Sequence, residues 1–199
     1  DFSFPQQASE PSFERLEVRE LNHPALLCYL SERKINLHIA RKECVELHFS
    51  HGVKSYFAIG FKNKSDGYEV RNRFFKGCMS PKDITHIRQQ GEPRYTCYVF
   101  EGMMDYLSFL SLRLQKFPSC PSLEAQDYVI LNSTSNVDKA IDTLHGYERI
   151  SCLLDNDDAG RKATFAIETA LGYRVRDASH LYSEYKDLND YLCGVKSKQ

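Results

Sequence analysis

The chain has 199 residues, 42% of them hydrophobic, and a formal net charge of -1, which is enough apolar material for one large or two small packed domains and excludes an overall disordered chain. Split after Arg94, the first part carries 15 basic and 12 acidic residues (+3) and the second 11 and 15 (-4); this asymmetry is either incidental or suits a basic substrate-gripping part followed by an acidic metal-holding part. The seven cysteines are scattered and form no C-x-x-C pair, excluding a disulfide framework or zinc ribbon. No run approaches the roughly 18 to 20 apolar residues of a membrane span, and the start Asp1-Phe2-Ser3 has no signal-peptide pattern, so a cytoplasmic protein with no membrane partner is expected. A chain opening on Asp1 is also expected to be part of something longer.

Residues 1–14 are polar and punctuated by proline and read as a linker or tail. From His23 to Ile35 the apolar positions Leu26, Leu27 and Leu30 suggest a short helix, and Asn36 is placed to cap a second one running to Cys44. Strand-like runs follow at Val45–Phe49, Lys54–Phe61 and Tyr68–Phe75, the last two joined by the polar turn Lys64–Gly67. Residues 15–93 are thus expected to form a small α+β subdomain.

After Pro93 short apolar runs alternate with helical periods, the pattern of a parallel-sheet α/β domain over 94–199. Strands are expected at Tyr95–Phe100, Tyr128–Leu131, Arg149–Leu154 and Tyr173–Arg176. The intervening helices carry the stripes Met103/Leu107/Leu110/Leu114 and Ala159/Ala163/Ile167/Leu171, the second stopped by Gly172; another helix starts at Val137 and a short one spans Leu188–Leu192.

Side chains just past the carboxyl ends of parallel strands converge on one crevice. Glu101 directly follows Tyr98-Val99-Phe100, and Gly102 eases the turn into the helix bearing Asp105. Asp155 and Asp157 follow Cys152-Leu153-Leu154 in the run Asp155-Asn156-Asp157-Asp158-Ala159-Gly160. Alternate positions of an extended segment point to one side, so the two aspartates can share a metal ion, completed by Glu101 from the neighbouring strand. Gathering such charges without a cation would raise their pKa values; the other reading is that they are helix N-terminal acids. An EF-hand starting at Asp155 is excluded, because Ala159 and Ala166 stand where oxygen ligands are needed. Asp187 and Asp190 either open a helix or complete a second metal position. The loop Asn132–Asn136 either caps a helix or binds a phosphate. His48 and His51 lack the partners of a zinc site.

Glu-Gly-x-x-Asp after one strand, Asp-x-Asp-x-Ala-Gly after another and a later Lys-Asp-x-Asn-Asp, over about residues 94–193, resemble the Toprim family, in particular the DnaG-type bacterial primases and primase-like proteins of mobile elements. The resemblance implies a Rossmann-like sheet flanked by helices, with Glu101, Asp155 and Asp157 as catalytic carboxylates that bind magnesium, manganese being the alternative ion. Asp105 and Asp187 would support them. Asn189 departs from the acid that primases often carry at its position.

Tyr29-Leu30-Ser31-Glu32-Arg33, and the later Tyr68-Glu69-Val70-Arg71-Asn72-Arg73, resemble the amino-terminal subdomain of a primase core. There Lys62, Lys64, Arg71, Arg73, Lys76 and Lys82 either line a groove for a template or nucleotide phosphates, with Tyr68, Phe74 and Phe75 as stacking surfaces, or form a solvated hairpin. The expected activity is RNA primer synthesis on a single-stranded DNA template from nucleoside triphosphates, in the company of an upstream zinc-binding domain and a helicase. Phosphodiester cleavage by a Toprim nuclease and noncatalytic DNA binding are the alternatives.

Overall fold

The structure, a computed structural model, describes residues 14–116 and 123–198. The chain divides into two compact units, residues 1–82 and 83–199. No helix among the described residues is long and apolar enough to cross a membrane.

The first unit is an antiparallel sheet of five strands in sequence order: β1 (Glu14–Glu20), β2 (Val45–His51), β3 (Lys54–Lys62), β4 (Tyr68–Arg71) and β5 (Lys76–Met79). Two helices, α1 (Pro24–Glu32) and α2 (Leu37–Glu43), separate β1 from β2. The side chain of Asn36 accepts the Ile39 N–H at 3.1 Å and starts α2, as its position predicts. The linker expected over 1–14 lies, apart from Glu14, outside the described residues, and β1 was not foreseen: it is an edge strand exposed along its whole length.

The run Tyr68–Phe75 is not one strand. Asn72 Oδ1 accepts the N–H groups of Phe74 and Phe75 at 2.8 and 3.1 Å, and this local turn breaks the ladder before β5. Val45, Leu47, Phe49, Tyr56, Ala58, Tyr68, Val70, Phe75 and Met79 pack together as one apolar cluster. Tyr68 and Phe75 therefore belong to the core, and Phe74 alone of the three expected stacking aromatics is open, at 79% exposure.

The second unit is a mixed sheet in the order β10-β9-β7-β8-β6. Its members are β6 (Thr85–Ile87), β7 (Thr96–Phe100), β8 (Asp127–Ile130), β9 (Arg149–Leu153) and β10 (Val175–Asp177). The pairs β7·β8, β7·β9 and β9·β10 are parallel, and β6 joins β8 antiparallel at the edge. The helices are α3 (Met103–Lys116), α4 (Val137–Leu144), α5 (Asp158–Leu171) and α6 (Leu188–Cys193).

Both sheet faces are covered, which is why these strands read as continuous apolar runs. On one face Cys97, Val99, Val129, Ile150 and Cys152 pack with Ala140 and Leu144 of α4 and Ala163, Ile167 and Leu171 of α5. On the other, Phe100 and Tyr128 meet Tyr106 and Phe109 of α3, with Tyr106–Tyr128 and Phe100–Phe109 centroids 5.1 and 5.3 Å apart. Such ring pairs contribute about 0.5–1.5 kcal/mol each beyond area burial. Alpha-helical α6 is tied to α3 by the buried Asn189, whose Nδ2 donates to Ser108 Oγ at 2.8 Å. This architecture carries the carboxyl ends of β7 and β9, which lie side by side, to one end of the sheet.

Candidate metal centre

Three acids converge at that end. One carboxylate oxygen from each of Asp105, Asp155 and Asp187 lies within 4.8 Å of the others. Asp105 is in the first turn of α3 and buried, Asp155 stands two residues past the end of β9, and Asp187 is the N-cap of α6, its Oδ1 accepting the Asp190 N–H at 2.7 Å. Asp187 is thus a helix cap, one of the two readings its motif allowed, and it also stands in an acidic cluster.

Glu101 and Asp157 flank this trio. Glu101 Oε2 accepts the backbone N–H of Asp155 at 3.1 Å and so fixes the peptide that carries the central carboxylate. Asp157 is the N-cap of α5: its Oδ1 accepts the Gly160 N–H at 2.9 Å, and its Oδ2 lies 3.9 Å from Lys186 Nζ. Asp157 is therefore held in part by its helix and a facing ammonium, and Asp105, expected only as a supporting acid, reaches the cluster directly.

Burial, with the charges of Asp105, Glu101, Asp187 and Asp157 behind it, pushes the Asp155 carboxyl up to about 8. Its Oδ1 is buried and has no hydrogen-bond partner among the described residues. A buried oxygen left unpaired inside a ring of acids is costly, and a hard divalent cation relieves both the missing partner and the repulsion. The residues present therefore fit an oxygen-ligated divalent cation.

The pH dependence has a definite sign. In the metal-free protein the Asp155 carboxyl titrates near 8 instead of 3.8, so the folded state binds the extra proton across that window and stability falls as pH rises through it. A divalent cation held there would compete with that proton, so its affinity would rise over the same range. The melting temperature in chelator is expected to drop between pH 5 and pH 8, and the magnesium-induced rise in melting temperature to grow. A flat profile in chelator would contradict the assignment.

Local sequence explains the tight geometry. A Cβ on Gly160 would overlap the Asp155 carbonyl oxygen and lie 2.9 Å from its carbonyl carbon and 3.0 Å from its nitrogen. The first turn of α5 can approach the backbone of Asp155 because glycine stands there. Gly102 is different: a Cβ there would meet nothing nearer than Asp105 Oδ2 at 3.9 Å, so the turn into α3 does not need glycine for space. Asn132–Asn136 forms a capped turn, Ser133 Oγ accepting the Ser135 N–H at 3.3 Å.

The predicted basic residues all lie in the first unit. Arg71 Nε donates to Tyr29 Oη at 3.0 Å, and Arg71 stands directly across the β4–β5 ladder from Lys76. Like charges placed opposite each other destabilise a ladder. Arg73 pairs with Glu32 at 2.6 Å and Lys62 with Asp66 at 2.9 Å, while Lys64, Lys76 and Lys82 are exposed. The site residue that sequence reasoning missed is Asn156, whose partners are 23 to 29 residues away.

A family model described as Toprim-like matches residues 98–192, and one described as a domain of unknown function (DUF8464) matches residues 15–80. No curated protein matches the chain. Among solved structures, the primase fragment of the bacteriophage T7 primase-helicase protein is 19% identical, with a TM-score of 0.59 over 96% of this chain and 79% of that one. The primase domains bound to an RNA/DNA hybrid and dTTP in a bacteriophage T7 polymerase complex give 18% identity and a TM-score of 0.56, over 91% of this chain and 88% of that one. The Aquifex aeolicus primase, with its zinc-binding and RNA polymerase domains, gives 14% and 0.51, covering 91% of this chain and 58% of that one. Residues 98–192 are thus similar to the Toprim family, and the fold of the chain is similar to that of the primase fragments.

Proposed function

We propose that the chain catalyses primase-type nucleotidyl transfer, in which a primer 3′-hydroxyl attacks the α-phosphate of a nucleoside triphosphate on a single-stranded DNA template and pyrophosphate leaves. The observation that carries this reading is the convergence of Asp105, Asp155 and Asp187, with Asp155 Oδ1 buried and unpaired, beside the carboxyl ends of β7 and β9. Asp155, with Glu101 and Asp157 from the two motifs and Asp105 and Asp187 from helix starts, would hold magnesium. A divalent cation at such a site neutralises charge on phosphate oxygens and orients attacking and leaving groups. The acids hold it in place, Glu101 fixes the Asp155 peptide, and Lys186 and Arg161 add positive charge at the edge of the Asp155–Asp157 turn, Arg161 Nη1 donating to the Asn156 carbonyl at 3.1 Å.

The first unit supplies the surface for nucleic acid in this reading. Arg71 has its Nε occupied by Tyr29, and beside it stand Lys76 across the ladder and the exposed Phe74 at the turn. Phosphates relieve the repulsion of the opposed cations, and base stacking suits an open aromatic ring. Arg71→Ala is expected to weaken single-stranded DNA binding several-fold and to reduce the slope of log affinity against log salt by about 0.7. Fluorescence anisotropy over a salt series reads both, and an unchanged slope would remove Arg71 from the interface.

The activity itself is tested by primer synthesis on single-stranded DNA with ribonucleoside triphosphates and magnesium. Template-dependent RNA products are expected. Strand cleavage without incorporation would replace this reading with that of a nuclease, and binding that persists without metal or any product would replace it with a noncatalytic role.

A further inference from the structure

Asn156 stands between the two aspartates of the acidic motif, and its side chain points to a different task from theirs. Its Nδ2 donates to three backbone carbonyls, those of Tyr185 at 3.0 Å, Tyr182 at 3.1 Å and Ser179 at 3.4 Å. Two N–H groups shared among three acceptors make the longest contact the weakest. The backbone N–H of Asn156 also donates to the Lys186 carbonyl at 2.6 Å. That last bond joins the residue after Asp155 to the residue before Asp187, so the two carboxylates are separated by a short, hydrogen-bonded span. The segment so fastened, from Ser179 to Lys186, has one 3-10 turn, Ser179–Tyr182, as its regular structure. A parallel tie is made by the buried Tyr182, whose Oη donates to the Leu154 carbonyl at 2.7 Å.

We propose that Asn156 is a positioning residue for the metal centre: by fastening residues 179–186 to the turn after β9, it sets the separation between the Asp187 and Asp155 carboxylates and thereby the affinity for a divalent cation. The inference rests on the reading of these acids as a metal centre. Asn156 touches neither ion nor substrate in this role. It acts through Asp187, as groups behind metal ligands do when they orient them, where their loss typically weakens affinity about 10- to 100-fold.

The test is manganese binding by calorimetry on the whole chain, without nucleotide, for the unaltered protein, Asn156→Ala, Asn156→Ser, Asp187→Ala and the double variant Asn156→Ala/Asp187→Ala. Asn156→Ala is expected to weaken binding about tenfold, Asn156→Ser, which keeps one donor, to fall between, and the double variant to bind no more weakly than Asp187→Ala. Wild-type affinity in a folded Asn156→Ala or Asn156→Ser protein, or losses that multiply in the double variant, would overturn the inference. Hydrogen exchange on the unaltered chain covers the case in which the variants fail to fold. Manganese is expected to slow exchange in 179–187 together with 155–157, and unchanged exchange in 179–187 would overturn the proposal. An unaltered chain that binds no manganese overturns the metal centre as a whole, whereas unaltered binding retained by the variants overturns only the role of Asn156.

Discussion

Asp155→Asn is expected to abolish divalent-metal binding at the centre and to lower primer synthesis by about 10²- to 10³-fold or more, the range seen when one preorganised electrostatic group is lost. The same change is expected to make the metal-free protein somewhat more stable than the unaltered one at pH 5, and more so at pH 8. The reason lies in the cost of the buried carboxylate: with its pKa pushed up to about 8 by burial and by four neighbouring acids, its ionised form opposes folding. The amide carries no such charge, so the fall in melting temperature with pH should largely disappear. A substitution that removes activity while raising alkaline stability distinguishes a metal ligand from a structural acid, whose loss would lower both. Melting curves in chelator at pH 5 and pH 8, alongside the primer assay, give the two readouts.

Gly160→Ala is expected to be the most damaging small substitution in the second unit. Within a helix, alanine is favoured over glycine by about 1 kcal/mol. Against that gain stands overlap of the new Cβ with the Asp155 carbonyl and a 3.0 Å approach to the Asp155 nitrogen. These are backbone atoms of a turn held by Glu101 and Lys186, not the far end of a yielding side chain. Overpacking of this kind costs about 1–3 kcal/mol or more, so the steric effect wins. A fall of several degrees in melting temperature is expected, with weaker manganese binding because Asp155 shifts with its peptide. A melting temperature raised by the alanine would show that α5 has room to retreat.

The order of strands and helices in the second unit was legible because its central strands are buried on both faces. Cys97 to Phe100, Tyr128 to Leu131 and Ile150 to Leu154 read as apolar runs, and each is followed by a helix with an apolar stripe. What was not legible lies at the edges. β1 is wholly exposed and mostly charged, and β6 has three residues, so neither has a hydrophobic pattern long enough to stand out. The turn at Asn72 has no glycine or proline to mark it; it depends on one side-chain amide accepting two backbone N–H groups.

The candidate site divides in the same way. Asp155 stands out from its place after an apolar strand, and Glu101 likewise after β7. Which acids meet is a matter of tertiary geometry: Asp105 arrives from the first turn of α3 and Asp187 from the cap of α6, and sequence spacing cannot state their convergence within 4.8 Å. Asn156 and Gly160 were visible only as parts of a motif. Their roles depend on carbonyls up to 29 residues away and on the closeness of a helix to a turn.

Anomalous diffraction from crystals of the whole chain soaked in manganese addresses the metal centre most directly. The expected result is a peak bonded to Asp155 and at least one of Asp105 and Asp187, absent from Asp155→Asn crystals. The contradicting result is no peak at these acids under conditions where the protein makes primers, or a peak that persists unchanged when Asp155 is replaced.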